Sequence, residues 1–172
     1  MDEIHVIGGK CLHGNITVQG SKNTVLPLMA GALLYRGINV LKACPRITDV
    51  FYMEEILRAL GAETWWEDHD LYLDCTHADG SHVPEIYSGR MRSSIILLGP
   101  ILARNQQAEI GYPGGCVIGK RPVDLHLYVL RRFGAEIKEE EKKITVSCKK
   151  LCGTEIVFSK RSVGATEQAI LC

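Results

Sequence analysis

Residues 49–63 read Asp-Val-Phe-Tyr-Met-Glu-Glu-Ile-Leu-Arg-Ala-Leu-Gly-Ala-Glu, and residues 124–136 read Asp-Leu-His-Leu-Tyr-Val-Leu-Arg-Arg-Phe-Gly-Ala-Glu. Both are amphipathic runs that end on the same stop. Gly61 and Gly134 each follow the last apolar residue of the run, where a helix closes by turning left-handed. Val50, Met53, Leu57 and Leu60 fall at helical spacing and define one buried face. Two short alternating stretches follow each run, 64–67 with 71–75 and 138–141 with 143–148, the pattern of a β-hairpin. One unit is therefore present twice.

Outward from these runs the repeat widens. Residues 22–34 and 92–103 are almost wholly apolar and predict helices buried on most faces, each kinked by an internal proline, Pro27 or Pro100. Strands are expected after them, at 38–42 and 108–112. The unit is thus apolar helix, strand, amphipathic helix and hairpin, over about seventy residues. A third copy starts with an expected strand at 155–158 and an apolar helix from Ser162 to Cys172. The sequence stops inside that helix, without cap or polar tail, which predicts a piece of a longer chain.

The 172 residues, 46% hydrophobic and 23% charged, have the size and composition of one globular domain, which excludes disorder, collagen and coiled coil. Twenty basic residues balance twenty acidic ones, so nothing in the charge points to nucleic acid or an anionic membrane. Apolar runs are too short to span a bilayer, and the N-terminus has no signal-peptide pattern. A soluble, cytoplasmic protein is expected. Seven cysteines at irregular spacing argue against a disulfide framework. The close pair Cys148 and Cys152 lacks the second pair or nearby histidine that a zinc site needs. No metal and no cofactor is expected, and HExxH, GxGxxG, Walker and GxSxG motifs are absent.

Two features carry chemistry. Each apolar helix starts beside cations: Lys22 in the first copy, Arg90 and Arg92 in the second, Lys160 and Arg161 in the third. Positive charge there opposes the helix dipole by roughly 0.3–1 kcal/mol each. Solvated surface cations would explain one such case. Recurrence at three equivalent places favours a bound phosphate or carboxylate, toward which cations and helix amides would act together. The second feature is the loop Pro113-Gly-Gly-Cys116-Val-Ile-Gly-Lys-Arg121, where a thiol sits among glycines beside Lys120 and Arg121. Basic neighbours lower a thiol pKa and suit it to act as nucleophile or acid. Spacing alone leaves that reading level with a half-buried loop thiol. Arg121-Pro122 then opens the amphipathic helix, with proline at its first position and Asp124 in its first turn.

At these residues the sequence resembles the UDP-N-acetylglucosamine 1-carboxyvinyltransferases, enolpyruvyl transferases of peptidoglycan synthesis. The likeness runs through Gly20-Ser-Lys-Asn23, Met91-Arg-Ser-Ser94, Leu98-Gly-Pro100, the block Pro113-Gly-Gly-Cys…Arg-Pro-Val-Asp-Leu-His126, and Ser162-Val-Gly-Ala-Thr166. The resemblance implies transfer of enolpyruvyl from phosphoenolpyruvate to the 3′-hydroxyl of UDP-N-acetylglucosamine, with phosphate released, in the bacterial cytoplasm. It implies that Cys116 is the acid toward the enolpyruvyl methylene and the residue alkylated by fosfomycin. Lys22, Arg92, Cys116 and Arg121 would hold phosphoenolpyruvate. Asn23, Arg92, Arg121, Pro122, Val123, Asp124, Leu125, Lys160, Ser162, Val163 and Gly164 would hold the sugar nucleotide. The implied fold is α+β, an inside-out α/β barrel with about two and a fraction βαβαββ-like repeats. Residues 1–21 would pack with the other, C-terminal domain, and residues 22–172 would form an incomplete catalytic-type domain with a truncated third repeat. Family members run to more than twice this length, so the chain alone is expected to be inactive. The alternatives are a non-catalytic sugar-nucleotide or phosphate-binding module, and a homo-oligomer formed through an exposed apolar edge.

Overall fold

A computed structural model describes residues 3–114 and 123–172. The first unit consists of α1 (Lys22–Ala32), β1 (Ile38–Leu41), α2 (Thr48–Ala59), β2 (Glu63–Glu67) and β3 (Asp70–Asp74). The second consists of β4 (His82–Val83), α3 (Glu85–Ser88), a 3-10 helix (Arg92–Leu97) running into α4 (Leu98–Asn105), β5 (Gln107–Gly111), α5 (Asp124–Arg132), β6 (Glu136–Glu139) and β7 (Lys143–Ser147). A third begins with α6 (Val163–Ile170). The strands form two sheets, ordered β1-β3-β2 and β4-β5-β7-β6. All pairs are antiparallel except β4 with β5. The helices lie against the inner faces of the sheets, where Leu71, Leu73, Ile144 and Val146 join Met29, Met53, Leu57, Leu98 and Leu102 in one core.

The helix stops match the sequence reading. Gly61 and Gly134 have φ of +100° and +93°. The Gly61 N–H donates to Arg58 O and the Ala62 N–H to Leu57 O, at 2.9 and 3.0 Å. Gly134 and Ala135 repeat those bonds to Arg131 and Leu130, at 3.0 Å each. This is the paired closure that ends a helix on a left-handed glycine. The periodic face of α2 is fully buried at Val50, Met53 and Leu57. Glu54, one position from that face, is also buried. It accepts from Arg58, from Thr64 Oγ1 (2.6 Å) and from Trp66 Nε1 (3.1 Å), tying α2 to β2.

Four expectations need correction. Residues 155–158 form no strand. In the second unit β4 pairs with β5, which follows the apolar helix, whereas among the described residues no strand follows α6. The segment is held to α5 instead, by Arg132 Nη2 donating to Glu155 O at 2.8 Å and Tyr128 Oη to Val157 O at 3.3 Å. The second apolar helix starts as 3-10 and becomes α only at Leu98. Pro100, which has no N–H, stands at the changeover. The first apolar helix buries Val25, Leu26, Met29, Ala30 and Ala32 but leaves Leu28 about half exposed, at 52%. Finally, β4 and α3 appear where the hydrophobic pattern predicts nothing. Arg121 and Pro122 lie outside the described residues, and the described part of α5 starts at Asp124.

Residues 3–19 form neither helix nor strand, and their apolar side chains stand in solvent, Ile7 at 98% exposure.

Candidate functional site

The internal repeat has a spatial consequence: the N-terminal ends of the three apolar helices meet at one cavity of about 490 Å³. Lys22 and Asn23 come from the start of α1, Arg92 and Ser93 from the start of the 3-10 helix, and Val163 and Gly164 from the start of α6. Neither Ser21 nor Met91 caps its helix through a side chain, so first-turn amides there keep capacity to donate. Ser162 does cap α6, its Oγ accepting from Ala165 N at 3.3 Å. Three positive helix ends and several cations around one hollow make an anion site by general electrostatics.

The cavity also holds residues that the sequence reading did not select. Asp49, in the first turn of α2, accepts from Lys22 Nζ at 2.8 Å. The Lys22 cation is thus balanced in the free chain, which offsets the dipole penalty expected for a lysine at that helix start. Arg90 lies over the ring of Tyr52, 5.6 Å from its centroid, so α2 also steers the second unit's cations. Glu167, one turn into α6, lines the same cavity, and burial pushes its carboxyl up from 4.5.

His126 is the buried polar side chain of the cavity. Counting back from the shared glycines, it occupies the place that Met53 fills in the first unit. Its Nδ1 lies 3.4 Å from the amide of Gln168, which is itself 0% exposed. The Gln168 amide is oriented by its other partners: its nitrogen donates to Ile95 O at 3.1 Å and its oxygen accepts from Gly99 N at 2.7 Å. The same nitrogen then faces His126 Nδ1, which must accept, leaving the ring proton on Nε2. A Cβ on Gly164 would lie 3.2 Å from that Nε2, so the protonated edge of the ring abuts the start of α6. Burial, reinforced by the Arg92 guanidinium, holds His126 below its ordinary 6.5. The imidazole is a neutral N–H donor at neutral pH.

Such a histidine leaves a signature in stability. Below about 6.5 the unfolded chain takes up a proton that the folded chain refuses, so stability falls as pH drops through that value. Glu167 runs the other way, its raised pKa favouring the folded state at low pH and losing that contribution as pH rises above 4.5. Melting curves from pH 7.5 to 5.5 should therefore show a fall that is flattened in His126→Gln. An equal fall in the variant would show that His126 is not the group responsible.

Of the residues expected at the site, Lys22, Asn23, Arg92, Val163 and Gly164 come together in this cavity. Lys160 and Ser162 line a neighbouring hollow of about 420 Å³, which shares Val163 and Glu167 with the first. Val123 packs against the core, Leu125 is half-buried and Asp124 is exposed at the start of α5. Cys116, Arg121 and Pro122 lie outside the described residues. Among the described residues, no group of three or more histidine, cysteine or acidic side chains is placed to hold a metal ion.

Comparison with known proteins bears on the family and the fold. Residues 6–172 match the family model of EPSP synthase (3-phosphoshikimate 1-carboxyvinyltransferase). The chain is 41% identical to UDP-N-acetylglucosamine 1-carboxyvinyltransferase 2 of Caldanaerobacter subterraneus subsp. tengcongensis, over 99% of this chain and 41% of that protein. It is 37% identical to UDP-N-acetylglucosamine 1-carboxyvinyltransferase of Geobacter metallireducens, over 99% of this chain and 41% of the relative. It thus spans about two fifths of the length of such relatives. The enolpyruvyl transferase NikO from Streptomyces tendae has the same fold, with a TM-score of 0.82 at 23% identity over 95% of this chain and 39% of that one. EPSP synthase from Acinetobacter baumannii follows at a TM-score of 0.69 and 17% identity, over 92% of this chain and 37% of that one. The α+β architecture, the repeat and the family match converge, and the chain belongs to the EPSP synthase family of enolpyruvyl transferases.

Proposed function

We propose that this chain is one substrate-binding half of an enzyme that transfers enolpyruvyl from phosphoenolpyruvate to the 3′-hydroxyl of UDP-N-acetylglucosamine, the committing step of peptidoglycan synthesis, which underlies bacterial cell shape and division. The observation that carries this reading is the meeting of three helix N-termini, with Lys22 and Arg92, at one cavity. Phosphoenolpyruvate brings a phosphate and a carboxylate, and the sugar nucleotide brings a diphosphate. A site for both substrates needs several cationic and amide donors that do not compete for one anion.

In this reading Lys22, Arg92 and Arg121 neutralise phosphoenolpyruvate, and Asn23 orients the sugar. Lys160 with Ser162–Gly164 takes the diphosphate, and the segment 121–125 takes the uridine side. Cys116 delivers a proton to the methylene carbon as the sugar hydroxyl gives up its own proton to a base and adds to the adjacent carbon. Loss of that proton and of phosphate then restores the double bond. His126, neutral and donating from Nε2, offers one further hydrogen bond beside the Arg92 guanidinium. Residues 1–21 belong with a second domain, which supplies the remaining catalytic groups and closes over the substrates. The exposed apolar side chains of residues 3–19 fit such a docking strand. No helix is long and apolar enough to cross a membrane among the described residues, and a cytoplasmic setting follows from the soluble substrates.

A second reading has one observation behind it. Val163 and Ile170 of α6 are exposed, so an apolar edge is open for a second copy. Labelling with fosfomycin tests the first reading. Selective alkylation of Cys116, accelerated by UDP-N-acetylglucosamine, is expected, with the other six cysteines as internal controls. Labelling of a folded sample that is uniform, or unaffected by the nucleotide, would leave a self-associating or binding module as the better account.

A further inference from the structure

We propose that Cys148 and Cys152 form a dithiol site that reacts with anionic low-molecular-weight disulfides and closes to an intramolecular disulfide. The two sulfurs share one acceptor. Cys148 Sγ lies 3.0 Å and Cys152 Sγ 3.7 Å from the carbonyl oxygen of Lys150, so their separation is bounded by those two short radii. The loop between them is pinned at both ends. The Cys148 N–H donates to Gln106 O at 2.9 Å and the Cys152 N–H to Phe133 O at 3.0 Å. The cysteines are held as neighbours while the three residues between them stay outside any regular element. Cys152 is exposed and Cys148 half-buried, so the pair is open to a small reagent. Lys149 and Lys150, both exposed, place positive charge around it and draw an anionic disulfide toward it.

The other described thiols do not share this setting. Burial pushes Cys44, Cys75 and Cys172 up to about 11, which leaves little thiolate near neutral pH. Cys11 is exposed, but the next cysteine in sequence is Cys44, which is buried. This reaction has no step in common with enolpyruvyl transfer and stands whether or not that reading holds.

The step balances as two thiol–disulfide exchanges. The Cys152 thiol loses its proton to solvent and its sulfur attacks the small disulfide, forming a mixed disulfide and expelling one thiolate. The Cys148 sulfur, deprotonated in turn, attacks the Cys152 sulfur and expels the second thiolate. Two protein thiols are oxidised and one small disulfide is reduced to two thiols, which recover the two protons. The second exchange is intramolecular, across a short loop whose effective concentration is on the order of millimolar or higher. It therefore outruns attack by dilute free thiol.

Oxidised glutathione is the probe, and tryptic digestion is the readout, because trypsin cuts after Lys149 and Lys150, between the two cysteines. The native 172-residue chain treated with oxidised glutathione and then alkylated should yield peptides 144–149 and 151–160 joined, two hydrogens lighter than their sum and free of glutathionyl groups. Cys11 should retain a glutathionyl group in the same sample. In Cys148→Ser the mixed disulfide should persist on Cys152, and in Cys152→Ser on Cys148. Raising the salt concentration should slow the reaction of the pair. Separate, stable glutathionyl groups on both residues of the native chain would overturn the proposal. So would recovery of both as free thiols while Cys11 is modified, or their linkage to other cysteines in preference to each other.

Discussion

Gln168→Leu is expected to lower the stability of the chain by about 3–5 kcal/mol, a fall in melting temperature of about 10 °C at this size. The size of the effect comes from the place where the amide sits. In a regular helix the Gly99 N–H would bond to the Ile95 carbonyl, four residues back. Here the two ends of that bond are served by the Gln168 side chain, its oxygen on Gly99 N and its nitrogen on Ile95 O. The bridge falls at the junction of the 3-10 helix with α4, one residue before Pro100, which has no N–H to continue the ladder. Leucine fills the same volume but leaves the Gly99 N–H and His126 Nδ1 without the amide, each costing roughly 1–3 kcal/mol, while Ile95 O keeps only the Leu98 N–H. Gln168→Glu would keep the acceptor for Gly99 and lose the donor, so a loss between wild type and leucine is expected. A change below about 1 kcal/mol for leucine would show that the junction satisfies itself without the bridge. The same bridge holds α6 against the second unit. Gly99 leaves no room for a side chain, since a Cβ there would run into the Gln168 amide. The same contact helps to set the depth at which α6 packs, and with it Val163 and Gly164 at the cavity.

What the sequence shows and what it hides divide along the range of the interaction. The stops at Gly61 and Gly134 and the buried face of α2 were legible because a helix repeats every 3.6 residues and closes on its next few. The extra strand at 155–158 was misread for the opposite reason. Its alternation is local, but a strand exists only when paired, and no described strand pairs with it. The start of the second apolar helix had the residues of an α-helix. Its 3-10 geometry depends on Pro100 and on a glutamine some seventy positions away. At the site, the cations at the helix starts were legible as three violations of one rule. Asp49 was not, because an aspartate in a first helical turn is ordinary and its pairing with Lys22 is set by how α1 and α2 pack. His126 did leave a trace, a polar residue where the other copy has Met53, which alignment on the shared glycines would have exposed.

The Lys22–Asp49 pair makes the cavity's anion reading sharply testable. Lys22→Ala is expected to weaken binding of phosphoenolpyruvate or inorganic phosphate by more than the loss of one hydrogen bond alone would. A charge-assisted hydrogen bond contributes about 1.5–3 kcal/mol, or roughly 10–100-fold in affinity, and Lys22→Ala loses at least that. Lys22→Ala loses more, because Asp49, 2.8 Å from Lys22 Nζ in the free chain, is left as a bare carboxylate facing the incoming anion. Coulomb repulsion between two unit charges about 4 Å apart is worth about 1 kcal/mol even in bulk water, and more in a partly enclosed hollow. The double variant Lys22→Ala with Asp49→Asn should therefore bind better than Lys22→Ala alone. Asp49→Asn by itself releases the lysine from its partner and should bind phosphate a few-fold more tightly than the native chain, with a steeper dependence on salt. Titration calorimetry on the four proteins closes the cycle. If Lys22→Ala stays within about twofold of the native chain, the ion pair is a packing device between α1 and α2, since a one-charge contact to a ligand would have shown at least tenfold. If the double variant binds no better than Lys22→Ala, Asp49 does not feel the ligand and the anion sits nearer to Arg92 and the start of α6.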